Sequence, residues 1–409
     1  MKKSTQGCAW STVVVTALLA GNAHSQTPPP ARPPEATPPV AASPAPPVTA
    51  SPAPPADAAK PAEPPAEKAY KNIQVLTGLP ASQLMPVMHL MRASLGVRCD
   101  YCHSGVEGEY DKDDKRAKKT ARQMIQMTLD INKNSFRGQT EVTCNSCHRG
   151  HERPVATPPV EQGQFADTTR GAPPARETLP SAAQVVDHYL EALGGRAALE
   201  SVKTRVSRGT LLRMKVVDGG TPNARAVNRG QEDPLEIVQD VSGKFRFTVG
   251  PATTATVQVF DGTAGVIRTP AETRPLTPQQ IQRASAQNDL QRDLRLRDRA
   301  DRIRGVGKEQ LDGRDVYVLR TAGADGRRET LFFDVQTGLL KRRIAYTATV
   351  LGVDPEQTDY DDYRDVGGVK VPFSVKTSYL DDNHLGTTRR LTEVRNNVAV
   401  EPSAFQASR

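Results

Sequence analysis

Two short motifs contain the residues of this sequence best suited to chemistry, Cys99-Asp100-Tyr101-Cys102-His103 and Cys144-Asn145-Ser146-Cys147-His148. Both match the Cys-x-x-Cys-His pattern of c-type haem attachment. Two thiols separated by two residues reach the two vinyl groups of one porphyrin edge, and the histidine that follows is carried beneath the ring to coordinate iron. The sequence therefore predicts two covalently bound haem c groups. The expected attachment and iron-binding residues are Cys99, Cys102, Cys144, Cys147, His103 and His148.

Other kinds of site use the same short cysteine spacing. A redox-active dithiol and a Cys/His zinc site are the two main alternatives. Four cysteines in an exported chain would also allow three disulfide pairings. Two complete copies of the motif, each with its histidine directly attached, favour haem over these alternatives. The fifth cysteine, Cys8, falls in an expected leader segment.

The ligand in the sixth position of each iron separates electron transfer from catalysis. An iron held by its proximal histidine alone can bind peroxide or another ligand, whereas a methionine thioether in the sixth position favours electron transfer. Methionine also fills irregular gaps in protein cores, so a methionine near a haem can serve packing alone. The candidates that precede the two motifs are Met85, Met88, Met91, Met124 and Met127.

Helices are expected to carry these methionines, because the apolar residues before each motif recur at helical spacing. The first helix is expected to begin near Ser82 and to end at Gly96 in a left-handed cap. The second is expected from about Thr120 to Phe136. The residues expected to share a face are Leu84, Met88, Met91 and Leu95 on the first helix and Met124, Met127 and Ile131 on the second.

Three blocks of sequence surround these positions. They begin at Asn72-Ile73-Gln74-Val75-Leu76, continue through Ala121-Arg122-Gln123-Met124-Ile125-Gln126-Met127-Thr128 with Asp130-Ile131-Asn132, and end with Val142-Thr143-Cys144 through Cys147-His148-Arg149-Gly150. These blocks, within residues 70–154, resemble the cytochrome subunit of the purple-bacterial photosynthetic reaction centre. In that family each haem follows a helix that supplies a methionine ligand. The resemblance implies Met88 as the sixth ligand of the first haem and Met124 as that of the second, with His89 and His151 as less favoured alternatives.

The sequence departs from that family in its number of haems. The family typically carries four, whereas this chain has two motifs, and no histidine lies between Met124 and Cys144 to serve a bis-histidine haem. The resemblance implies single-electron transfer and, by analogy, re-reduction of a photo-oxidised primary donor in a membrane-bound reaction centre. As a partner, a respiratory complex or another periplasmic redox protein is at least as compatible with the residues as a reaction centre is.

Composition divides the chain into segments. Lys2 and Lys3 precede the apolar run from Val13 to Ala20 and a small-residue cleavage pattern, which predicts a signal peptide at 1–25 and export to the periplasm. No later segment approaches the roughly 20 apolar residues of a transmembrane helix. Residues 26–68 are rich in Pro and Ala and are expected to form a disordered linker. A dihaem cytochrome c domain is expected at 69–154, a second linker at 155–179, and a β-rich domain at 180–409.

The last of these segments shows the patterns of an antiparallel sheet. A helix is expected over Ser181–Leu193, followed by strands separated by turn signals such as Asp261-Gly262 and Thr337-Gly338. Residues 278–303 read as one charged helix, and Asp359 to Tyr363 as a turn at a strand edge. The pattern faintly resembles LolA-type periplasmic lipoprotein carriers, which implies a curved half-barrel and a lipid or hydrophobic ligand. A docking module that positions the cytochrome is the alternative.

The predicted fold class is multidomain: a small all-α dihaem cytochrome c domain and a mainly antiparallel β domain of α+β type, joined by Pro-rich linkers. The net charge of +8 is modest for 409 residues and is spread along the chain, so a nucleic-acid partner is not expected. The predicted function is single-electron transfer without enzymatic activity. A dihaem peroxidase and a redox-linked module that binds a hydrophobic ligand are the alternatives.

Overall fold

The computed structural model describes most of the chain after the Pro/Ala-rich segment, namely residues 63–104, 109–156, 178–218, 225–228, 230, 232–303, 305–380 and 386–406. The expected signal peptide, most of the first linker and most of the second lie outside these ranges. Residues 61–409 form one compact unit. Within it, a helical N-terminal region is followed by a large open antiparallel sheet. These two parts agree with the predicted combination of an α and a β region.

The helices of the described residues fall into an N-terminal set and a set that packs on the sheet. The N-terminal set is α1 (Ala66–Ala69), α2 (Leu84–Leu95), α3 (Cys99–Cys102), α4 (Arg116–Ser135) and α5 (Cys144–His148). The second set is α6 (Ala182–Ala192), α7 (Arg196–Ser201), α8 (Pro278–Asn288) and α9 (Arg292–Ala300). Short 3₁₀ turns occur at Ala81–Gln83 and Pro402–Phe405. None of the helices in the described ranges is both long and apolar enough to cross a membrane.

The strands of the described residues lie in the second part of the chain. They are β1 (Thr204–Asp218), β2 (Arg225–Asn228), β3 (Glu232–Asp240), β4 (Phe245–Val249), β5 (Thr256–Phe260), β6 (Gly265–Arg268), β7 (Thr273–Pro275), β8 (Val306–Leu311), β9 (Arg314–Ala322), β10 (Arg328–Asp334), β11 (Leu340–Thr349), β12 (Gly352–Val366), β13 (Val369–Ser378) and β14 (Gly386–Asn396).

Neighbouring strands of the sheet are antiparallel, in the order β7-β6-β5-β4-β3-β1-β14-β13-β12-β11-β10-β9-β8, with β2 paired to β1. The chain runs outward from β1 to one edge, crosses through α8 and α9, and returns from the other edge to β14. The first and last long strands, β1 and β14, therefore meet in the middle of the sheet. A core of apolar side chains joins α6 and α9 to this sheet and includes Val186, Leu319 and Phe333.

The first predicted helix ends where expected, but its buried face differs from the prediction. Gly96 has φ +67° and caps α2 in the left-handed conformation, as predicted. The side chains fully packed into the core are those of Leu84, Val87 and Leu90, together with Ile125 of α4. Met88 and Met91 are only partly buried and lie at the edge of this cluster. Leu84 of the predicted stripe is therefore part of the core, whereas Met88 and Met91 of the same stripe lie at its border.

The helical region packs directly on the sheet region through the turn between β11 and β12. Leu351 at this turn is fully buried in the same cluster as Val87 and Leu90 of α2. A second contact is made by the Arg92 side chain, whose Nη1 donates to the carbonyl oxygen of Leu380 at 2.6 Å. The sheet thus contributes a core residue to the helices that carry the candidate methionines.

Two predictions in the second part of the chain were wrong. The expected single helix over 278–303 is two helices, because Asp289 takes an extended conformation at the end of α8 and Gln291 begins a new turn. The expected turn around Asp359 to Tyr363 lies inside the 15-residue strand β12. Its acidic residues pair with basic residues of β11, as Asp359 does with Arg342 at 2.5 Å.

Candidate functional site

The two cysteine motifs fold as the short helices α3 and α5, and each packs against the long helix that precedes the other motif. Helix α2 contacts α5, and α3 contacts α4. The Gly150 amide, just past α5, donates to the carbonyl oxygen of Ser94 in α2 at 2.8 Å. The Tyr101 hydroxyl, inside the first motif, donates to the Glu152 carboxylate at 2.6 Å. The structure therefore brings the two motifs together into one site.

Gly96 permits the closest approach within this site. Its backbone is left-handed, and a Cβ atom placed on it would collide with the carbonyl oxygen of Gly150. Glycine is consequently required there both by conformation and by space. The loop after the second motif lies directly on the end of the helix before the first.

The histidines of the two motifs share one hydrogen-bond arrangement. His103 Nδ1 lies 2.7 Å from the carbonyl oxygen of Tyr110, and His148 Nδ1 lies 3.0 Å from the carbonyl oxygen of His151. A carbonyl oxygen can only accept, so Nδ1 carries the proton and donates in both rings. In each neutral imidazole the free lone pair is then on the other ring nitrogen, Nε2. Burial lowers the pKa of His103, which keeps that ring neutral.

A charged network holds the carbonyl group that His103 contacts. Lys118 is buried, and its Nζ donates to the carbonyl oxygens of Tyr110 and Lys112, both at 2.8 Å. The carboxylate of Asp113 lies 3.3 Å from Lys118 Nζ and 2.8 Å from Arg122 Nη1. The hydrogen bond from Arg122 holds the pKa of Asp113 well below its ordinary value. Lys118, in the charged segment 112–119, is therefore built into the site and does not face solvent.

A buried asparagine positions the second motif. The side chain of Asn132 in α4 donates to the carbonyl oxygen of Val142 at 2.7 Å and accepts from the amides of Glu141 and Val142 at 3.2 and 2.9 Å. These three hydrogen bonds fix the chain just before Cys144. The amide of Thr143 donates to the hydroxyl of Ser146 at 3.1 Å and orders the first turn of α5.

The thiols of the motifs lack the features of an activated dithiol. None of the four cysteines, all within the described residues, forms a disulfide. Burial raises the pKa of the Cys102 and Cys144 thiols, whereas the nucleophilic cysteine of a dithiol oxidoreductase needs a lowered pKa. Within the described ranges, no three His, Cys, Asp or Glu side chains group as metal ligands. A c-type haem iron takes one histidine from its motif and needs no cluster of three such side chains. The donor groups of each motif therefore fit a c-type haem.

The candidate methionines differ in burial. Met88 and Met91 are half-buried and pack against the edge of the apolar cluster, as Cys144 does. Met85, Met124 and Met127 are exposed, at 47, 37 and 44% of their surface. Apolar side chains left uncovered on α4 beside a motif helix are available to a large apolar group. The structure thus leaves Met88 and Met124 accessible, as it does their neighbours Met91 and Met127.

Comparison with known proteins separates the two parts of the chain. Residues 41–188 match the family of the photosynthetic reaction centre cytochrome C subunit. The predicted resemblance over residues 70–154 is thereby confirmed, and the match extends beyond it on both sides.

Two relatives carry the description "photosynthetic reaction center cytochrome c subunit". The protein from Roseobacter denitrificans is 36% identical over 97 residues, which is 22% of this chain and 26% of the relative. The protein from Thermochromatium tepidum is 32% identical over 101 residues, or 24% of each chain. This chain therefore spans about a quarter of the length of either relative.

The sheet region has structural neighbours of a different kind. A LolA superfamily protein from Nitrosomonas europaea covers 56% of this chain at 12% identity, with 98% of its own length and a TM-score of 0.37. A putative outer membrane lipoprotein-sorting protein domain from Vibrio parahaemolyticus covers 55% of this chain and 97% of its own length at 11% identity, with a TM-score of 0.37. These neighbours agree with the predicted LolA-type likeness.

Several residues of the site escape prediction from motif spacing. The carbonyl groups of Tyr110 and His151 are backbone atoms and leave no trace in the residue types. Asn132 and Arg122 lie inside the sequence blocks that resemble the cytochrome subunit family. That resemblance was the available sequence signal for a buried role of these two side chains. Lys118 is 8% exposed, and because lysine is seldom buried, its residue type gave no sign of this role.

Proposed function

We propose that this chain is a periplasmic dihaem c-type cytochrome that transfers single electrons. Cys99 and Cys102 attach the first haem, and Cys144 and Cys147 the second. When bound, each haem supplies an iron centre that alternates between ferrous and ferric states. His103 and His148 are the proximal ligands. The proposal is supported above all by their shared arrangement, in which Nδ1 donates to a backbone carbonyl and leaves Nε2 for iron.

The protein's own residues have three tasks in this proposal. The carbonyl groups of Tyr110 and His151 fix the orientation of the imidazoles and strengthen them as ligands. Met88 and Met124 are the sixth ligands, by residue-to-residue correspondence with the cytochrome subunit family. The apolar cluster around Leu84, Val87 and Ile125 excludes water from the site, and low polarity together with a neutral thioether favours ferrous iron and raises the potential.

The partner is a redox protein on the periplasmic side of a membrane. The relatives' descriptions suggest a reaction centre, and a respiratory complex is the other candidate. The Pro/Ala-rich residues 26–62 act as a tether after removal of the signal peptide, and residues 155–179 as a second linker. Residues 63–68, expected in the first linker, instead belong to the folded region, because Ala66 of α1 is fully buried in the apolar cluster. The β domain at 180–409 supports the cytochrome domain at 69–154, since Leu351 completes the core beneath α2.

The test is a spectroelectrochemical titration of the mature protein, purified from the periplasm of a host with a haem-ligation apparatus. The proposal predicts two reversible one-electron transitions and no consumption of hydrogen peroxide by the reduced protein. A Cys144→Ser/Cys147→Ser variant is expected to keep one transition, and Cys99→Ser/Cys102→Ser the other. Cys8→Ser, in the leader, is the control and is expected to keep both. Steady peroxide turnover would instead identify a dihaem peroxidase.

A further inference from the structure

A cavity of about 400 Å³ lies on one face of the sheet. Its walls come from α6, α7, β1, β3, β4 and β11 to β14, together with residues from the end of α8 to the start of α9. The volume is in the range of pockets that hold small organic molecules, about 300–1,000 Å³. The cavity is separate from the cysteine motifs and plays no part in the electron transfer proposed above.

A polar row crosses the floor of this cavity. Strand register places Arg343 opposite Thr358, Thr358 opposite Thr377, Thr377 opposite Thr387, and Thr387 opposite Arg213. All five residues line the cavity. Directly opposed residues on neighbouring strands have side chains within reach of one another. The row therefore presents three hydroxyl groups between two guanidinium groups on one surface.

The adjacent row contains an arginine in apolar surroundings. Arg389 lies opposite Val375 on one side and Leu211 on the other. Among the described residues it makes no ion pair, whereas the next residue, Arg390, points to the opposite face and pairs with Glu232 at 2.6 Å. Burial lowers the pKa of Arg389. A guanidinium removed from water without a counter-ion is costly to the folded protein.

The charge of the described lining is predominantly positive. Its basic residues are Arg205, Arg213, Arg292, Arg343, Lys370 and Arg389, and its acidic residues are Asp289 and Asp293. Asp289 is already paired with Arg295, which lies outside the lining. Arg343 has a partner in Glu329, and Arg205 donates to the side chain of Asn396 at 2.9 Å. An excess of positive charge therefore remains in the lining, at Arg389 and Arg213.

We propose that this cavity binds an organic anion, whose carboxylate or phosphate group contacts Arg389 and the threonine row while its apolar body packs against Leu211, Val375 and Leu391. Charge-assisted hydrogen bonds from arginine to such a group are about twice as strong as neutral ones. The anion supplies the counter-ion that Arg389 lacks. A purely apolar ligand would leave the guanidinium unpaired, so the cavity selects against uncharged acyl chains.

Calorimetric titration of the full mature haem-containing protein tests this proposal with three probes. Sodium octanoate has both an anionic group and an apolar body, 1-octanol has the body alone, and sodium acetate has the anion alone. Octanoate is expected to bind roughly tenfold or more tightly than either partial probe. Arg389→Gln is expected to reduce the octanoate affinity by a similar factor, because it removes the charge that pairs with the carboxylate.

Arg390→Gln is the matched control, one residue along the same strand on the opposite face, and is expected to bind octanoate like the unaltered protein. Arg389→Gln is expected to unfold at no lower urea concentration than the unaltered protein without ligand, because it removes an unpaired buried charge. Three outcomes would overturn the proposal. They are equal affinity for octanoate and octanol, octanoate binding that Arg389→Gln leaves unchanged, and absence of octanoate binding.

Discussion

At His103 and His148 the most informative atoms are the backbone carbonyl oxygens that accept from Nδ1. The Cys-x-x-Cys-His spacing predicts which thiols and imidazole would reach one porphyrin, and the structure brings the two motifs that contain them together. The spacing does not indicate a role for Tyr110 or His151, because each contributes a main-chain carbonyl oxygen. Their positions depend on buried polar contacts such as that of Lys118, which only the folded chain makes.

The sixth ligand of each haem can be tested at single residues. Met88→Ala is expected to remove half of the sulfur-to-iron charge-transfer absorption of the ferric protein, because one of two thioether ligands is lost. The double variant with Met124→Ala is expected to remove it entirely.

Met91→Ala and Met127→Ala are the matched controls, each one turn further along the same helix, and should retain the full absorption. If Met91→Ala removes the band and Met88→Ala does not, the assignment of Met88 is wrong. The same comparison holds for Met127 and Met124.

At the scale of helices and strands, periodicity predicted those elements whose own sequence decides their form. Gly96 capped α2 as expected, since a left-handed cap selects glycine locally. Strand β12 was missed because Asp359, Asp361 and Asp362 interrupt the usual strand pattern. Asp359 and Asp361 pair with basic residues of the neighbouring strand β11, and Asp362 pairs with Arg364 of β12 itself. The break between α8 and α9 was missed because its residues line a cavity that the sequence does not reveal.

The contact between α2 and the end of the second motif depends on one glycine. Gly96→Ala is expected to destabilise the protein by about 1–2 kcal/mol through left-handed strain and by about 1–3 kcal/mol more through collision with the Gly150 carbonyl. Gly138→Ala has the same strain at φ +80° but open space around it, and should show only the first loss. Urea unfolding measures both, and equal losses would contradict the close approach.

The turn between β11 and β12 is expected to stabilise the helical region. Leu351→Ala should lower the free energy of unfolding by about 2–5 kcal/mol, because it opens a cavity in a fully buried cluster. Val350→Ala, at the neighbouring exposed position, should change it by less than about 0.5 kcal/mol. Similar effects of the two substitutions would show that the two regions do not share a core in solution.

On the scale of the whole molecule, residues 61–409 form one compact unit in which the sheet contacts the helical region that carries both motifs. Composition predicted the two kinds of structure and the Pro-rich segments around them. It did not predict their contact, because Leu351 is a single apolar residue in a turn and its partners Val87 and Leu90 lie some 260 residues earlier. Long-range packing of this kind has no local signal.

The pH dependence of stability is expected to include a term from Asp354. Burial raises the pKa of its carboxyl group from 3.8 to about 6. The folded state therefore binds a proton that the unfolded state releases between about pH 4 and 6, so the free energy of unfolding falls as pH rises through this range. Asp354→Asn should be more stable than the unaltered protein by on the order of 1 kcal/mol at pH 7 and equally stable near pH 4.

Asp361→Asn on the same strand is the control for this effect. Its carboxylate is 77% exposed, and the hydrogen bond from Lys341 lowers its pKa, so its removal should not stabilise the protein at any pH. A stability profile of Asp354→Asn parallel to that of the unaltered protein would contradict burial of the Asp354 carboxyl group.

The central claim, covalent haem at both motifs, is tested most directly by the intact mass of the mature protein, combined with a pyridine haemochrome assay per polypeptide. Covalent attachment at both motifs is expected to add the mass of two haems and to leave no free thiol on Cys99, Cys102, Cys144 or Cys147. A colourless protein with four reactive thiols, from a host that attaches haem to another c-type cytochrome, would contradict it.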